Sequence, residues 1–223
     1  MGSALPADSP PSPASKEELR RHFRRLRRQQ LPAAAAGLLA VARRELPPRL
    51  LPPTPAPTRR LGLYWPLGAE PDLRPLAAEL QARAPDRLAL PAVLPWPPEA
   101  PGLQLLYLPW NPADPLAADA CGIPAPSVAD PSAAGAQPLA PLAPSQLALL
   151  LVPALAIDRA GFRLGSGGGW YDRLRAQPPW RAVPALALLP AACVSPMPLP
   201  RDPWDVPFDG WLDERGLHFI ASS

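Results

Sequence analysis

Residues 146–158, QLALLLVPALAID, form the most continuous apolar run of the chain. The run is too short for a long helix, and Pro153 would break one. We therefore predict a central strand that is buried on both faces, as strands are in a parallel sheet. A turn at 158–161 and a glycine-rich segment at 164–169 follow this strand, and WYDRLRAQ at 170–177 predicts a helix.

Further helices and strands alternate along the rest of the chain, which is typical of an α/β protein with a mostly parallel sheet. Helices are predicted to begin at Ser15, at about Ala33 and at Asp72, and the second of them to end at Leu46. The predicted strands lie at 59–67, 87–95, 102–110 and 182–190, with a closing strand or hairpin within 204–220.

Length and composition fit one well-buried domain, since the chain has 223 residues of which 48% are hydrophobic. Residues 1–14 lack a hydrophobic pattern and predict a disordered, proline-rich tail, so we assign residues 15–223 to a single domain. Residues 127–145 predict a long loop. Apolar runs are interrupted by proline and charge, and no secretory signal is visible, so we expect a cytoplasmic protein without a membrane span.

The first predicted helix has a well-defined start and one apolar stripe. Ser15 and Glu18 form the pattern of a capping box, and Leu19, Phe23 and Leu26 repeat at helical spacing. The remaining positions are mostly cationic, which fits either a solvated charged face or an arm that binds nucleic acid. The cationic residues are Lys16, Arg20, Arg21, Arg24, Arg25, Arg27 and Arg28.

The glycine-rich segment 164–169 can bring bare backbone N–H groups close to an anion such as a phosphate. Arg163 could add a charge-assisted contact, and Asp172 could hold Mg²⁺. Trp170 and Tyr171 could stack on a planar ring. Neither a Walker loop nor a dinucleotide fingerprint fits, because Trp170 stands where each motif needs another residue. Glycine content alone therefore leaves a flexible hairpin as an equal alternative.

Residues 149–172, LLLVPALAIDRAGFRLGSGGGWYD, resemble the signature of the 5-formyltetrahydrofolate cyclo-ligases, also called methenyltetrahydrofolate synthetases. Four further segments resemble blocks of the same family and occur in the family's order, so the resemblance covers about residues 15–217. These segments are SKEELRRHFRRLRR at 15–28, LGLYWPLGAEPDLRPL at 61–76, ACGIPAPS at 120–127 and WDVPFDGWLDERG at 204–216.

The resemblance implies a fold and an activity. The implied fold is a three-layer α/β/α domain with a mostly parallel central sheet. The implied enzyme uses ATP and Mg²⁺ to convert 5-formyltetrahydrofolate into 5,10-methenyltetrahydrofolate, and it releases ADP and phosphate. Such a protein has small-molecule substrates rather than nucleic acid or a membrane as partners, and we expect a monomer. Two alternatives stay open: another phosphoryl-transfer or CoA-transferase-like enzyme on a similar fold, and a nucleic-acid-binding protein that uses the arginine-rich helix.

The resemblance also implies roles for the residues that match the family's motifs. Catalysis falls to Arg163, Tyr171 and Asp172, and Mg²⁺ binding falls to Asp172 and Asp205. The residues implied in folate binding are Trp65, Glu70, Trp170 and Tyr171. The residues implied in ATP binding are Lys16, Arg20, Arg163, Leu164, Gly165, Ser166, Gly167, Gly168, Gly169, Trp170 and Tyr171.

Four positions depart from the family pattern. Ser166 stands where an aromatic or basic residue is usual, and Trp170 replaces a tyrosine or phenylalanine. Ala125 stands where Glu or Gln is frequent, and Trp204 where His is common. None of these changes removes a charged group to which the resemblance gives a catalytic role.

Overall fold

The structure of the chain is a computed structural model, which describes residues 15–50, 59–96, 102–127 and 139–220. The tail predicted at 1–14 lies outside the described residues, and so does the greater part of the loop predicted at 127–145. No helix in the described ranges combines the length and the apolar character needed to cross a membrane.

The described part of the chain alternates helices and strands, as predicted. The helices are α1 (Lys16–Glu45), α2 (Pro47–Leu50), α3 (Arg74–Arg83), α4 (Trp170–Ala176) and α5 (Pro178–Arg181). The strands are β1 (Arg60–Gly62), β2 (Leu88–Leu94), β3 (Gln104–Pro109), β4 (Ala117–Ala118), β5 (Pro124–Ala125), β6 (Leu147–Pro153), β7 (Ala156–Asp158), β8 (Arg163–Leu164), β9 (Ala185–Leu188), β10 (Val194–Ser195), β11 (Gly210–Asp213) and β12 (Gly216–Phe219).

Seven strands form the main sheet, in the order β12-β11-β9-β6-β1-β2-β3. The five inner strands run parallel to one another, while the edge strands β12 and β3 are antiparallel to their neighbours. The mostly parallel sheet is therefore confirmed. The antiparallel pair β11–β12 is the hairpin expected near the carboxyl end. Two smaller sheets, β10-β7-β8 and β4-β5, complete the strand pairing.

Helices cover both faces of the main sheet. Successive residues of β6 point to opposite faces, so Leu150 and Leu151 belong to different apolar clusters. Leu150 shares a cluster with Trp180 of α5, and Leu151 shares one with Leu38 of α1 and Leu76 of α3. The result is the predicted three-layer α/β/α arrangement.

The N-terminal helix corrects one prediction. The chain forms one continuous helix of 30 residues through Pro32, not two helices with a second start at Ala33. Pro32 lacks the N–H that would bond to the Arg28 carbonyl, and both residues are exposed, so water can satisfy that carbonyl instead. The capping box of Ser15 and Glu18 is confirmed.

The apolar run 146–158 forms two strands rather than the single strand predicted. β6 ends at Pro153, and the Leu155 N–H then donates to the Leu164 carbonyl at 2.9 Å. This bond starts a hairpin, in which β7 pairs with β8 on one side and with β10 on the other. The chain thus leaves the main sheet at Pro153 and carries the glycine segment to the carboxyl end of β6.

The strand order contains a switch point between β1 and β6. From β1 the chain continues to β2 on one side, and from β6 it continues to β9 on the opposite side. Connections that depart in opposite directions leave a crevice at the carboxyl ends of the two central strands, where open α/β sheets bind ligands. The fold therefore places a binding site next to the ends of β1 and β6.

Candidate active site

A cavity of about 370 Å³ lies at this switch point. Trp65, just beyond β1, and Pro153, at the end of β6, both line it. The cavity brings together every residue to which the resemblance assigns a site role, although these residues come from four distant segments. They are Lys16, Arg20, Trp65, Glu70, Arg163, Leu164, Gly165, Ser166, Gly167, Gly168, Gly169, Trp170, Tyr171, Asp172 and Asp205.

The glycine loop is shaped for close approach by another molecule. Gly167 has φ +120°, and a Cβ added there would meet no other atom within 4 Å, so the loop faces open space. The N–H groups from Ser166 to Gly169 donate no hydrogen bond to the rest of the described chain. Arg20 donates from Nε to the Gly165 carbonyl at 3.2 Å. Arg20 thus ties α1 to the loop and leaves the loop's N–H groups free for an anion.

The helix that follows the loop is short. α4 has 7 residues and begins at Trp170, with Gly169 in the left-handed region at φ +63°. A helix of two turns has a weak dipole, so anion binding at this loop depends mainly on the free N–H groups and on nearby cations.

Arg163 holds the Asp172 side chain of α4 in place. Its side chain is 6% exposed, and it donates to Asp172 Oδ1 at 2.9 Å and to the Pro153 carbonyl at 3.3 Å. A Cβ at Gly165 would lie 3.1 Å from this guanidinium, so a larger residue there would crowd it. In this structure Arg163 neutralises Asp172 and lines the cavity at the same time.

Lys16 lies at the same end of the cavity as a pair of aspartates. Its Nζ is 2.6 Å from Asp202 and 3.3 Å from Asp205, and the Asp205 carboxylate also accepts the Asp202 N–H at 2.7 Å. Partial burial disfavours the ammonium, but the hydrogen bond to Asp202 and the charges of both aspartates outweigh it, so the pKa of Lys16 is raised. Lys16 is therefore a cation throughout the physiological pH range.

Two contacts fix the segment that carries Asp205. The Phe208 N–H donates to the Gly161 carbonyl at 2.9 Å, and a Cβ at Gly161 would meet the Phe208 carbonyl at 2.6 Å. Arg175 of α4 donates to the Pro207 carbonyl at 3.1 Å. The Asp205 segment is thus attached to the hairpin and to the helix that flank the glycine loop.

Aromatic side chains also line the cavity. Trp65 is half-buried, with the Arg74 guanidinium 4.9 Å from its ring centre. Burial raises the pKa of Tyr171, so its phenol is neutral and can donate a hydrogen bond. Trp170 also lines the cavity, and the Arg173 guanidinium lies 4.4 Å from its ring.

Glu70 is a buried carboxylate beside these rings. Its side chain is 10% exposed, and one oxygen accepts the Leu67 N–H at 3.0 Å. The other oxygen lies 3.7 Å from the guanidinium of Arg27. Burial raises the pKa of Glu70, and the Leu67 N–H together with the cations Arg27 and Arg163 opposes this effect.

Sequence reasoning missed two charged residues of this site. Arg27 was grouped with the solvated arginines of α1, and this is wrong, since its side chain is 7% exposed. The sequence does indicate that Arg27 is buried, because Arg27 follows Phe23 by four residues and so lies on the apolar stripe of the helix. Asp202 was overlooked because an aspartate before a proline usually marks a turn.

The acidic residues can be compared with the needs of Mg²⁺. This ion takes oxygen ligands and is commonly held by one or two carboxylates together with substrate phosphates and waters. Asp172 and Asp205 line one cavity and are of the required type. In the described ranges no three acidic, histidine or cysteine side chains are grouped as a closed metal site. The arrangement therefore fits an ion that arrives with a phosphate ligand.

The fold and the cavity place the chain among the open α/β proteins that bind ligands at the carboxyl ends of their central strands. Its sequence matches the model of the 5-formyltetrahydrofolate cyclo-ligase family over residues 12–213. The chain belongs to this family.

Individual relatives agree with this membership. The chain is 34% identical to the 5-formyltetrahydrofolate cyclo-ligase of Haemophilus influenzae over 104 residues, which are 46% of this chain and 50% of that protein. The alignment thus spans half the length of that relative. The solved 5,10-methenyltetrahydrofolate synthetase of Aquifex aeolicus superposes with a TM-score of 0.62 at 24% identity, over 93% of this chain and 94% of that one. That of Mycoplasma pneumoniae gives 0.62 at 18% identity, over 90% and 99%. These two structures support the fold.

Proposed function

We propose that this protein catalyses the ATP- and Mg²⁺-dependent conversion of 5-formyltetrahydrofolate into 5,10-methenyltetrahydrofolate, with release of ADP and phosphate. Members of the cyclo-ligase family use ATP as a substrate. The observation that carries the proposal is one cavity lined by two chemically different groups of residues. One group, which we call the loop end, is the glycine loop with its free N–H groups and nearby cations, and the other, which we call the Glu70 end, is a buried carboxylate with aromatic rings.

The nucleotide phosphates would bind at the glycine loop. The free N–H groups from Ser166 to Gly169 can donate to phosphate oxygens, and Lys16 and Arg20 line the same cavity. Lys16 is paired with Asp202 and Asp205 in this structure, so phosphate binding requires it to share or exchange these partners.

Asp172 and Asp205 would hold Mg²⁺ together with oxygens of the bound phosphates. When bound, the ion would supply positive charge where the phosphates crowd negative charge together. Arg163 pairs with Asp172 and lines the same cavity, so its positive charge would lie beside the bound phosphates as well.

The folate ring would bind at the other end of the cavity. A pterin presents an amino group and a ring N–H side by side, and the Glu70 carboxylate can accept both. Trp65 and Tyr171 would pack against the ring and exclude water. The formyl group would then lie between the two ends, next to the loop and Tyr171.

The formyl oxygen is a poor leaving group, and the reaction activates it by phosphorylation. The formyl oxygen attacks the γ-phosphorus of ATP, the bond to the β-phosphate oxygen breaks, and ADP departs. The neighbouring folate nitrogen then attacks the formyl carbon and loses its proton, and the phosphorylated oxygen leaves as inorganic phosphate. The protein's part is to align the oxygen with the phosphate and to offset charge with Lys16, Arg20 and Arg163.

Mixing the purified protein with 5-formyltetrahydrofolate and Mg-ATP tests the proposal, because the methenyl product absorbs in the near ultraviolet. We expect the absorbance to grow, with one phosphate released per product formed. A folded protein that gives neither signal would rule the activity out. Phosphate release without absorbance growth would favour another phosphoryl-transfer enzyme, and salt-dependent RNA binding without turnover would favour the nucleic-acid alternative. The monomeric state and the cytoplasmic location stay predictions.

A further inference from the structure

Arg27 is an unusual residue for its position. It lies on the buried face of α1, where its neighbour one turn earlier is Phe23. The side chain is 7% exposed, and NH1 donates to the Ala154 carbonyl at 3.0 Å, just beyond the end of β6. Its Nε has no hydrogen-bond partner among the described residues. A buried guanidinium with an incomplete set of partners costs stability, so a compensating role is expected of it.

The compensating charge is Glu70. Within the described ranges, Glu70 is the single carboxylate that forms an ion pair with Arg27, at 3.7 Å. Glu70 lines the cavity, while Arg27 does not. Arg27 therefore lies behind Glu70 and can reach a ligand only through it.

The surroundings of Glu70 determine whether it is charged. The cations that face it are Arg27 from α1 and Arg163 from β8, and the Leu67 N–H donates to it. The phenols of Tyr64 and Tyr171 also interact with it, and burial raises the pKa of both, so each is neutral. Arg163 is already engaged with Asp172 at 2.9 Å. Beside the Leu67 N–H, Arg27 is therefore the principal cation that supports a charged Glu70.

We propose that Arg27 is a positioning residue for the folate: its guanidinium keeps Glu70 ionised and fixed at the cavity wall, ready to accept two N–H groups from the ring. This inference rests on the proposed function. An ionised carboxylate has acceptor oxygens only, whereas a protonated one presents an O–H toward the donors of the ring and loses one of the two hydrogen bonds. Arg27 would thus set the pH range in which the substrate binds.

The direct test compares Arg27→Met with Arg24→Met, which removes the same charge from an exposed position on the same helix. In Arg27→Met we expect the KM for 5-formyltetrahydrofolate to rise about tenfold at pH 7, because Glu70 loses its charged support. The increase should shrink as the pH rises, since Glu70 then ionises without help. The KM for ATP should stay within about twofold of wild type, Arg27→Lys should recover part of the loss, and Arg24→Met should change neither KM.

A merely structural role for Arg27 gives a different pattern. It would raise both KM values or lower kcat by the same factor at every pH, and this result would overturn the proposal. The variant Glu70→Gln further distinguishes a positioning role of Arg27 from a structural one. It should weaken folate binding at all pH values, and adding Arg27→Met to it should cost little more.

A second measurement needs no activity, so it distinguishes failure of this inference from failure of the proposed function. In Arg27→Met the folded-state pKa of Glu70 rises further above its unfolded value, so the variant should lose stability relative to wild type as the pH rises through that pKa. Denaturant unfolding at pH 5 and pH 8 should show the larger loss at pH 8. The loss should become independent of pH when Glu70 is also replaced by Gln. A loss that is equal at both pH values would overturn the inference even if wild type proves to be a cyclo-ligase.

Discussion

The two ends of the cavity are built on different physical principles. At the loop end, backbone N–H groups are free, and Lys16 and its partners Asp202 and Asp205 are partly exposed to water. At the Glu70 end, the carboxylate and the guanidinium of Arg27 are almost fully buried. The first end can exchange its partners for a ligand, while the second is preorganised and depends on one fixed pair.

The largest effect should come from Asp172→Ala, which removes an acid from the loop end and leaves the buried Arg163 without its partner. We expect kcat to fall by about 10²-fold or more, because a group that offsets charge in the transition state is lost. Absorbance assays measure the rate, and circular dichroism checks the fold. Asp114→Ala, which removes an exposed carboxylate elsewhere, is the matched control. Full activity in Asp172→Ala would remove Asp172 from the mechanism.

Lys16→Ala should have the next largest effect and should act on ATP alone. We expect the KM for ATP to rise about tenfold, because a charge-assisted contact to phosphate is lost. The KM for the folate should stay unchanged, since Lys16 pairs with Asp202 and Asp205 and is not among the charges that act on Glu70. Steady-state kinetics with each substrate varied in turn measures both constants. An equal rise in both KM values would show that the two ends do not act separately.

Gly167→Ala should give a smaller effect at the same end. Alanine is strained at φ +120°, although nothing lies within 4 Å of its Cβ. Gly102, at φ +96° and equally free of neighbours, offers a matched control outside the cavity. Both variants should lose about 1 kcal/mol of stability in denaturant unfolding, while only Gly167→Ala should raise the KM for ATP, by about fivefold. Equal kinetics for the two variants would argue against phosphate binding at this loop.

The smallest effect should be seen in the wild-type protein, where the KM for the folate, but not the KM for ATP, should depend on pH. Burial raises the pKa of Glu70, so the fraction of ionised Glu70 falls as the pH is lowered toward that pKa. The KM for the folate should rise in that range. Lys16 stays charged because its pKa is raised, so it should add no pH dependence to the KM for ATP below neutral pH. A KM for the folate that is flat from pH 5 to pH 8 would show that the charge of Glu70 does not matter for binding.

The same contrast explains what the sequence could predict. The strand, the glycine loop and Asp172 belong to one continuous segment, so they could be recognised together, and the loop and Asp172 line the cavity. The parallel sheet was predictable because its strands are short apolar runs that alternate with helical patterns. Pro32 misled the prediction, because a proline on an exposed helix face needs only a water molecule to compensate for its missing hydrogen bond.

The Glu70 end could not be predicted in the same way. The pair of Arg27 and Glu70 joins residues 43 positions apart, as their numbers show, and an arginine on an otherwise cationic helix gives no local sign of burial. The contact depends on how α1 crosses the end of β6, where Arg27 meets the Ala154 carbonyl. Such a pair forms only because tertiary packing brings the two residues together, and this packing cannot be read from a single sequence.

The central claim is that one cavity holds the nucleotide at the glycine loop and the folate at Glu70, with the formyl group between them. A crystal structure with 5-formyltetrahydrofolate and a non-hydrolysable ATP analogue tests it most directly. We expect the terminal phosphate against the N–H groups around Gly167, close to Lys16, and the ring's amino group on the Glu70 carboxylate. A nucleotide bound outside this cavity, or a folate that leaves Glu70 without contact, would contradict the account.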